Sequence, residues 1–206
     1  MSFYSIKNYD DFISVDNKFY GGDEYWIDEY LKDTAFISDF SSGSIALTNC
    51  LIYELNKHSD DLGTLGRNEI VMEEYLNFLR NFIQSYVYRS TGFINIKNMN
   101  RYIMTFSRKR GLEINTEVYY PGYFYGECKE FIKNALLNDH PIMMQSYDVG
   151  IDLLNYSWIT ITGLEGDDIF FSKNGKLQKC NLNKWFNNNS NYKGLIYFNI
   201  SGQTGR

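Results

Sequence analysis

Two serines stand where this chain could do chemistry. Ser42 lies in Phe40-Ser41-Ser42-Gly43-Ser44, a small-residue turn that runs straight into the apolar stretch from Ile45 to Leu55. A side chain at such a helix start sits in the positive field of the backbone dipole, a place where several hydrolases keep a nucleophile. Ser157 opens a β-branched run closed by glycine, Ser157-Trp158-Ile159-Thr160-Ile161-Thr162-Gly163. Asn174 follows in Phe171-Ser172-Lys173-Asn174-Gly175. A thiol at a helix N-terminus beside an imidazolium can fall from about 8.5 to roughly 3.5–7.5 in pKa. A hydroxyl starts far higher and needs an adjacent base, worth roughly 10²–10⁴ in rate. Ser157 cannot be that base.

The chain holds two histidines and three cysteines. His58 ends the helix that Ser42 would start, and at about 1.5 Å per residue it lies roughly 20 Å or more away. His140 precedes Pro141, whose ring holds it extended at the mouth of a strand. His140 and Asp39 are the bases a serine reaction would have to recruit from elsewhere. Cys50 falls on the apolar face of the helix and reads as an inert buried thiol. Cys128 stands near the start of a helix with no partner in view, and Cys180 follows Lys179 in a loop or edge strand. Ser42 has a structural reading as an N-cap, worth about 1 kcal/mol over alanine, and Ser157 one as a structural hydroxyl.

The elements that must position these groups follow from periodicity. Asp23–Leu31 reads as a short helix, and Ile45–Leu55 as a helix apolar all round and therefore buried. The clearest amphipathic helix is 69–89, broken by Ser90-Thr91-Gly92. Asn98–Arg110 is a helix stopped by Gly111, with the basic run Arg108-Lys109-Arg110 placed for the helix dipole rather than for nucleic acid. Leu112–Tyr119 alternates as a strand, Pro121-Gly122 turns the chain, and Glu127–Leu137 is helical. Strands follow at 141–145, 158–162, 168–172 and 195–200. Helices first and antiparallel strands later predict one α+β domain over 1–206. In it, 1–40 is an N-terminal extension, 41–111 the mainly helical half and 112–200 the mainly β half.

Composition narrows the function. Eighteen Tyr, fifteen Phe and three Trp, with only two Pro, favour packed structure over disorder. The abundance of Asn, Ile, Tyr and Lys is that of an AT-rich genome such as a low-GC bacterium's. A net charge of −5 argues against a nucleic-acid partner. No run approaches the 18 or so apolar residues of a membrane span. The start MSFYSIKNYDDF lacks the pattern of a signal peptide, so a reduced cytoplasmic protein is expected. Cysteines without C-x-x-C spacing make no disulfide framework or zinc site. The acidic pairs Asp60-Asp61, Glu73-Glu74 and Asp167-Asp168 point apart and make no metal site. Gly63-Thr64-Leu65-Gly66 follows no strand and is no phosphate loop. No metal and no cofactor are expected.

The order of segments resembles the bacterial C39-like, papain-fold cysteine peptidases over about residues 35–185. That family's nucleophile stretch reads roughly Cys-Gly-x-x-Ala-x-x-Asn, and Ser42-Gly43-Ser44-Ile45-Ala46-Leu47-Thr48-Asn49 matches at Gly43, Ala46 and Asn49. Its catalytic histidine opens a strand shaped like Ser157–Gly163, and Asn174 is the nearest candidate for its polar third member. The resemblance implies a papain-like fold, with a helical N-terminal half packed on a C-terminal antiparallel sheet. It also implies that Ser42 and Ser157 occupy the Cys and His positions. The family's oxyanion glutamine has no counterpart in Phe36–Ser41. The expectation is a catalytically inactive pseudopeptidase that binds a peptide or protein partner in the former active-site cleft. The alternative is a serine-type hydrolase or acyltransferase using Ser42 with another base. A third reading makes the aromatic run Tyr119–Tyr125 a docking surface.

Overall fold

The computed structural model describes residues 2–31, 41–58, 69–87, 93, 95–122, 124–147, 154, 157–188 and 193–203. Strand β5 (Leu112–Tyr119) alternates buried Leu112 and Ile114 with exposed Glu113, Asn115 and Glu117, the period of a half-covered edge strand. Strands β6 (Ile142–Ser146) and β7 (Ser157–Glu165) are buried on both faces almost throughout, as interior strands must be. With β8 (Asp168–Lys173), β9 (Lys176–Asn181) and β10 (Lys193–Gln203) they form one sheet in the order β5-β10-β6-β7-β8-β9. Every pairing in it is antiparallel.

The first residues contribute strands to both sheets. Strand β1 (Phe3–Ser5) pairs with Gly163–Glu165 of β7, beyond the Ile142–Ile161 pair where β6 stops. Strands β2 (Ser14–Val15) and β3 (Phe19–Tyr20) join β4 (Glu69–Ile70) in a second small sheet, β2 running parallel to β4.

Helix α1 (Tyr25–Tyr30) buries Trp26 and Ile27. Helix α2 (Ser41–Asn56) is buried from Ser41 to Leu55, because it packs against β6, β7, β10 and the amphipathic α3 (Met72–Tyr86) together. The Asp16 carboxylate accepts the Met72 N–H at 2.9 Å, which ties the small sheet to the start of α3. Helix α4 (Ile96–Arg110) is capped by Asn95, whose side chain accepts the Asn98 N–H, and ends on Gly111 in the left-handed region at φ 63°. Its basic last turn reaches α3, with Lys109 donating to the Ser85 carbonyl and Arg110 to the Tyr86 hydroxyl. Helices α5 (Tyr125–Leu137) and α6 (Leu182–Phe186) complete the chain.

Alternate residues of the interior strands feed two apolar clusters. Ile142, Met144, Ile159 and Ile161 belong to one, and Met143, Trp158 and Ile196 to the other. The class is α+β, built on a large antiparallel sheet. Among the described residues no helix is long and apolar enough to cross a membrane.

Candidate functional site

The two serine positions meet where the first turn of α2 crosses the start of β7. Ser42 is no N-cap. It lies inside the helix, which begins at Ser41, and its Oγ accepts the Trp158 backbone N–H at 3.2 Å, across 116 residues of chain. The Trp158 indole donates to the Phe93 carbonyl at 2.9 Å. Gly43 allows this crowding, because a Cβ there would lie 2.5 Å from Cβ of Phe93.

Ser157 has a partner that sequence reasoning passed over. Lys173 donates from Nζ to Ser157 Oγ at 2.5 Å, and burial lowers the Lys173 pKa while the Glu24 carboxylate acts to raise it. The register explains the contact. Thr160 pairs with Ser172 across the β7–β8 hairpin, so Lys173 projects from the same face as Ser157. Asn174 (φ 51°) and Gly175 (φ 65°) form the two-residue turn that follows, between the paired Lys173 and Lys176. Both central residues at positive φ is the Asn-Gly hairpin geometry.

A small cavity lies between α2 and the β7–β8 hairpin. Ser42, Ala46 and Asn49 of α2 border it on one side, and Trp158, Thr160 and Ser172 on the other. The more exposed Glu24, Lys173 and Asn174 form its rim. It has room for about one water molecule. The structure thus gathers Ser42 and Asn174 around one space. Ser157 lies beside it, its hydroxyl held by Lys173.

Neither histidine reaches this space. His140 Nδ1 lies 2.9 Å from the carboxylate of buried Glu54 and 3.2 Å from Lys57 Nζ, and its ring stacks on Tyr197. Glu54 is near the other end of α2, roughly 18 Å from Ser42 at the helical rise. His58 follows that same end, its N–H bonded to the Leu55 carbonyl. Asp39 lies outside the described residues, as do the 62–68 loop and Ser90-Thr91-Gly92.

The thiols are structural. Cys50 is buried, its sulfur 3.9 Å from the Pro141 carbonyl, and burial holds its pKa well up, reinforced by Glu54. Burial pushes Cys128 up to about 12, although it sits in the first turn of α5. Cys180 is on the edge strand β9 and is likewise raised to about 12, by burial and then by Asp168. Among the described residues no group of three or more His, Cys, Asp or Glu could hold a metal ion.

Three residues that shape the site were in view in the sequence but unweighed. In the sequence Asn49 is a motif match, Lys173 the neighbour of Asn174, and Glu24 a residue of the short helix Asp23–Leu31. Asn49 Oδ1 accepts both the Gly22 N–H at 3.0 Å and the Tyr75 hydroxyl at 2.8 Å. Its place seven residues after Ser42, on the same helix face, was the signal available. No family model, curated protein or solved structure matches the chain.

Proposed function

We propose that the chain is a papain-like, C39-like pseudopeptidase that performs no peptide hydrolysis and acts by binding a peptide or protein partner in the former active-site cleft. The observation that carries this reading is the bond from the Trp158 N–H to Ser42 Oγ. The hydroxyl at the nucleophile position serves the packing of α2 on β7, and neither imidazole of the chain stands near it. The serine at the histidine position is held by a lysine. A cytoplasmic setting suits three free thiols, which no disulfide joins.

The test has two arms. The purified protein is offered peptide and thioester substrates together with a fluorophosphonate probe, and no turnover and no labelling are expected. A peptide display library is then panned on the same protein. Enriched clones are expected to lose binding to Glu24→Lys and Lys173→Ala, both at the cavity rim. Turnover that vanishes in Ser42→Ala, or clones indifferent to both rim variants, overturns the reading.

One observation favours the serine-type alternative, with the nucleophile moved. Lys173, its pKa lowered by burial, lies 2.5 Å from Ser157 Oγ, the arrangement of a lysine base and a serine nucleophile. On that reading the fluorophosphonate labels Ser157, and Lys173→Ala abolishes labelling. Ser157 is 6% exposed, which is why the binding reading stands first.

A further inference from the structure

Asn49 is 1% exposed, and both hydrogen bonds that hold it are accepted by its oxygen. Its Nδ2 has no hydrogen-bond partner. A buried amide donor left unpaired has lost its water without gaining a partner, and few native groups are left so without a ligand or water to meet them. This donor belongs to a residue that borders the cavity beside Ser42.

The other polar groups of the floor define what is wanted there. Thr160 donates its hydroxyl to the Ala46 carbonyl at 3.5 Å, and Ser172 donates to the Tyr20 carbonyl at 2.6 Å. Ser42 Oγ has accepted the Trp158 N–H, which leaves its own O–H to give. The donors of the floor still unspent are Asn49 Nδ2 and Ser42 O–H, and their complement is an acceptor. The space admits one oxygen-sized atom.

The rim sets the charge of the occupant. Lys173 and Glu24 carry opposite signs at the mouth, so the rim offers no net charge to offset the desolvation of an ion of either sign. A neutral dipole avoids that desolvation cost. We propose that the cavity is a receptor for one uncharged carbonyl oxygen, that of a carboxamide or a peptide bond. The oxygen accepts from Asn49 Nδ2 and Ser42 O–H while the rest of the ligand lies across the Glu24–Lys173 rim. Ser42, Ala46 and Asn49, spaced along one face of α2, thereby become parts of one binding site. The biological ligand rests on the binding reading above, and the carbonyl site itself does not.

The probe is acetamide, titrated into the intact ¹⁵N-labelled protein while the side-chain amide resonances of Asn49 are followed. A saturable shift is expected, with acetate about tenfold weaker at the same ionic strength, because its charge must be desolvated at a rim of no net charge. Asn49→Asp keeps an oxygen for Gly22 and Tyr75 but removes the donor, and it should abolish the acetamide response. If that variant fails to fold, the wild-type comparison of acetamide with acetate decides alone. Resonances that do not move, that move equally with both solutes, or that report only a resident water overturn the proposal. Acetamide binding without any panned peptide would sink the binding reading and leave this site standing. Peptide binding without an acetamide response would do the reverse.

Discussion

At the scale of single residues, the chemistry of position 42 is decided by a partner 116 residues away. Ser42→Ala leaves the buried Trp158 N–H without an acceptor, since Trp158 is 6% exposed. A loss of about 1–3 kcal/mol is expected in urea denaturation, with far-UV circular dichroism unchanged. A loss of a few tenths would mean that the amide finds water and that the bond to Ser42 is incidental. Local reasoning assigned the hydroxyl to the helix's own free N–H groups, because a sequence shows a helix start but not the strand laid across it. The Lys173–Ser157 bond was hidden for the same reason. It exists only once the β7–β8 register puts both side chains on one face of the sheet.

At the scale of elements, α2 is fixed by what its small and polar residues meet. Alanine in place of Gly43 would gain about 1 kcal/mol of helix propensity, yet its Cβ would lie 2.5 Å from Phe93 Cβ. Gly43→Ala is therefore expected to lower stability, by about 1–3 kcal/mol as overpacking does. A stabilised variant would mean that the segment at Phe93 yields freely. Asn49→Ala strands both the Gly22 N–H and the Tyr75 hydroxyl. It should cost clearly more than Tyr75→Phe, which leaves Asn49 its bond to Gly22, and equal losses in thermal melts would refute the shared-acceptor role. The long helices and interior strands were legible in the sequence because burial imposes a period of 3.6 or a continuous apolar run. Strand β9 was legible only as one of two readings at Cys180, a loop or an edge strand, since Lys176-Leu177-Gln178-Lys179-Cys180-Asn181 lies on the sheet edge and carries no apolar pattern. Its signal in the sequence is the Asn174-Gly175 turn before it. Strands β1 to β3 are two or three residues long and are defined by their partners rather than by their own composition.

At the scale of the whole molecule, burial of ionisable aromatics and thiols makes the fold's stability a function of alkaline pH. Three thiols keep raised pKa values in the fold, Cys128 and Cys180 at about 12 against an ordinary 9.0, and Cys50 well up. Interior tyrosines Tyr20, Tyr53 and Tyr75 are raised above 10.0, chiefly by burial. A group whose folded pKa exceeds its unfolded value contributes stability that is whole below the unfolded value and is lost as pH rises toward the folded one. The unfolded chain releases thiol protons from about pH 9 and tyrosine protons from about pH 10, while the folded chain keeps them. Lys173 and Lys193 work against this trend, because their pKa values are lowered by burial and the unfolded state then binds more protons as pH rises toward 10.5. Two lysines are outweighed by three thiols and three tyrosines. Stability in urea is expected to be flat near neutrality and to fall steeply above pH 9, with each buried thiol supplying about 1 kcal/mol per pH unit. The paired variant Cys128→Ala/Cys180→Ala should start lower at pH 7.5 through lost packing and decline less steeply between pH 9 and 10.5. Parallel profiles for the variant and the parent would mean that these thiols ionise in the fold as freely as in the unfolded chain, and the burial argument for their inertness would fail with them.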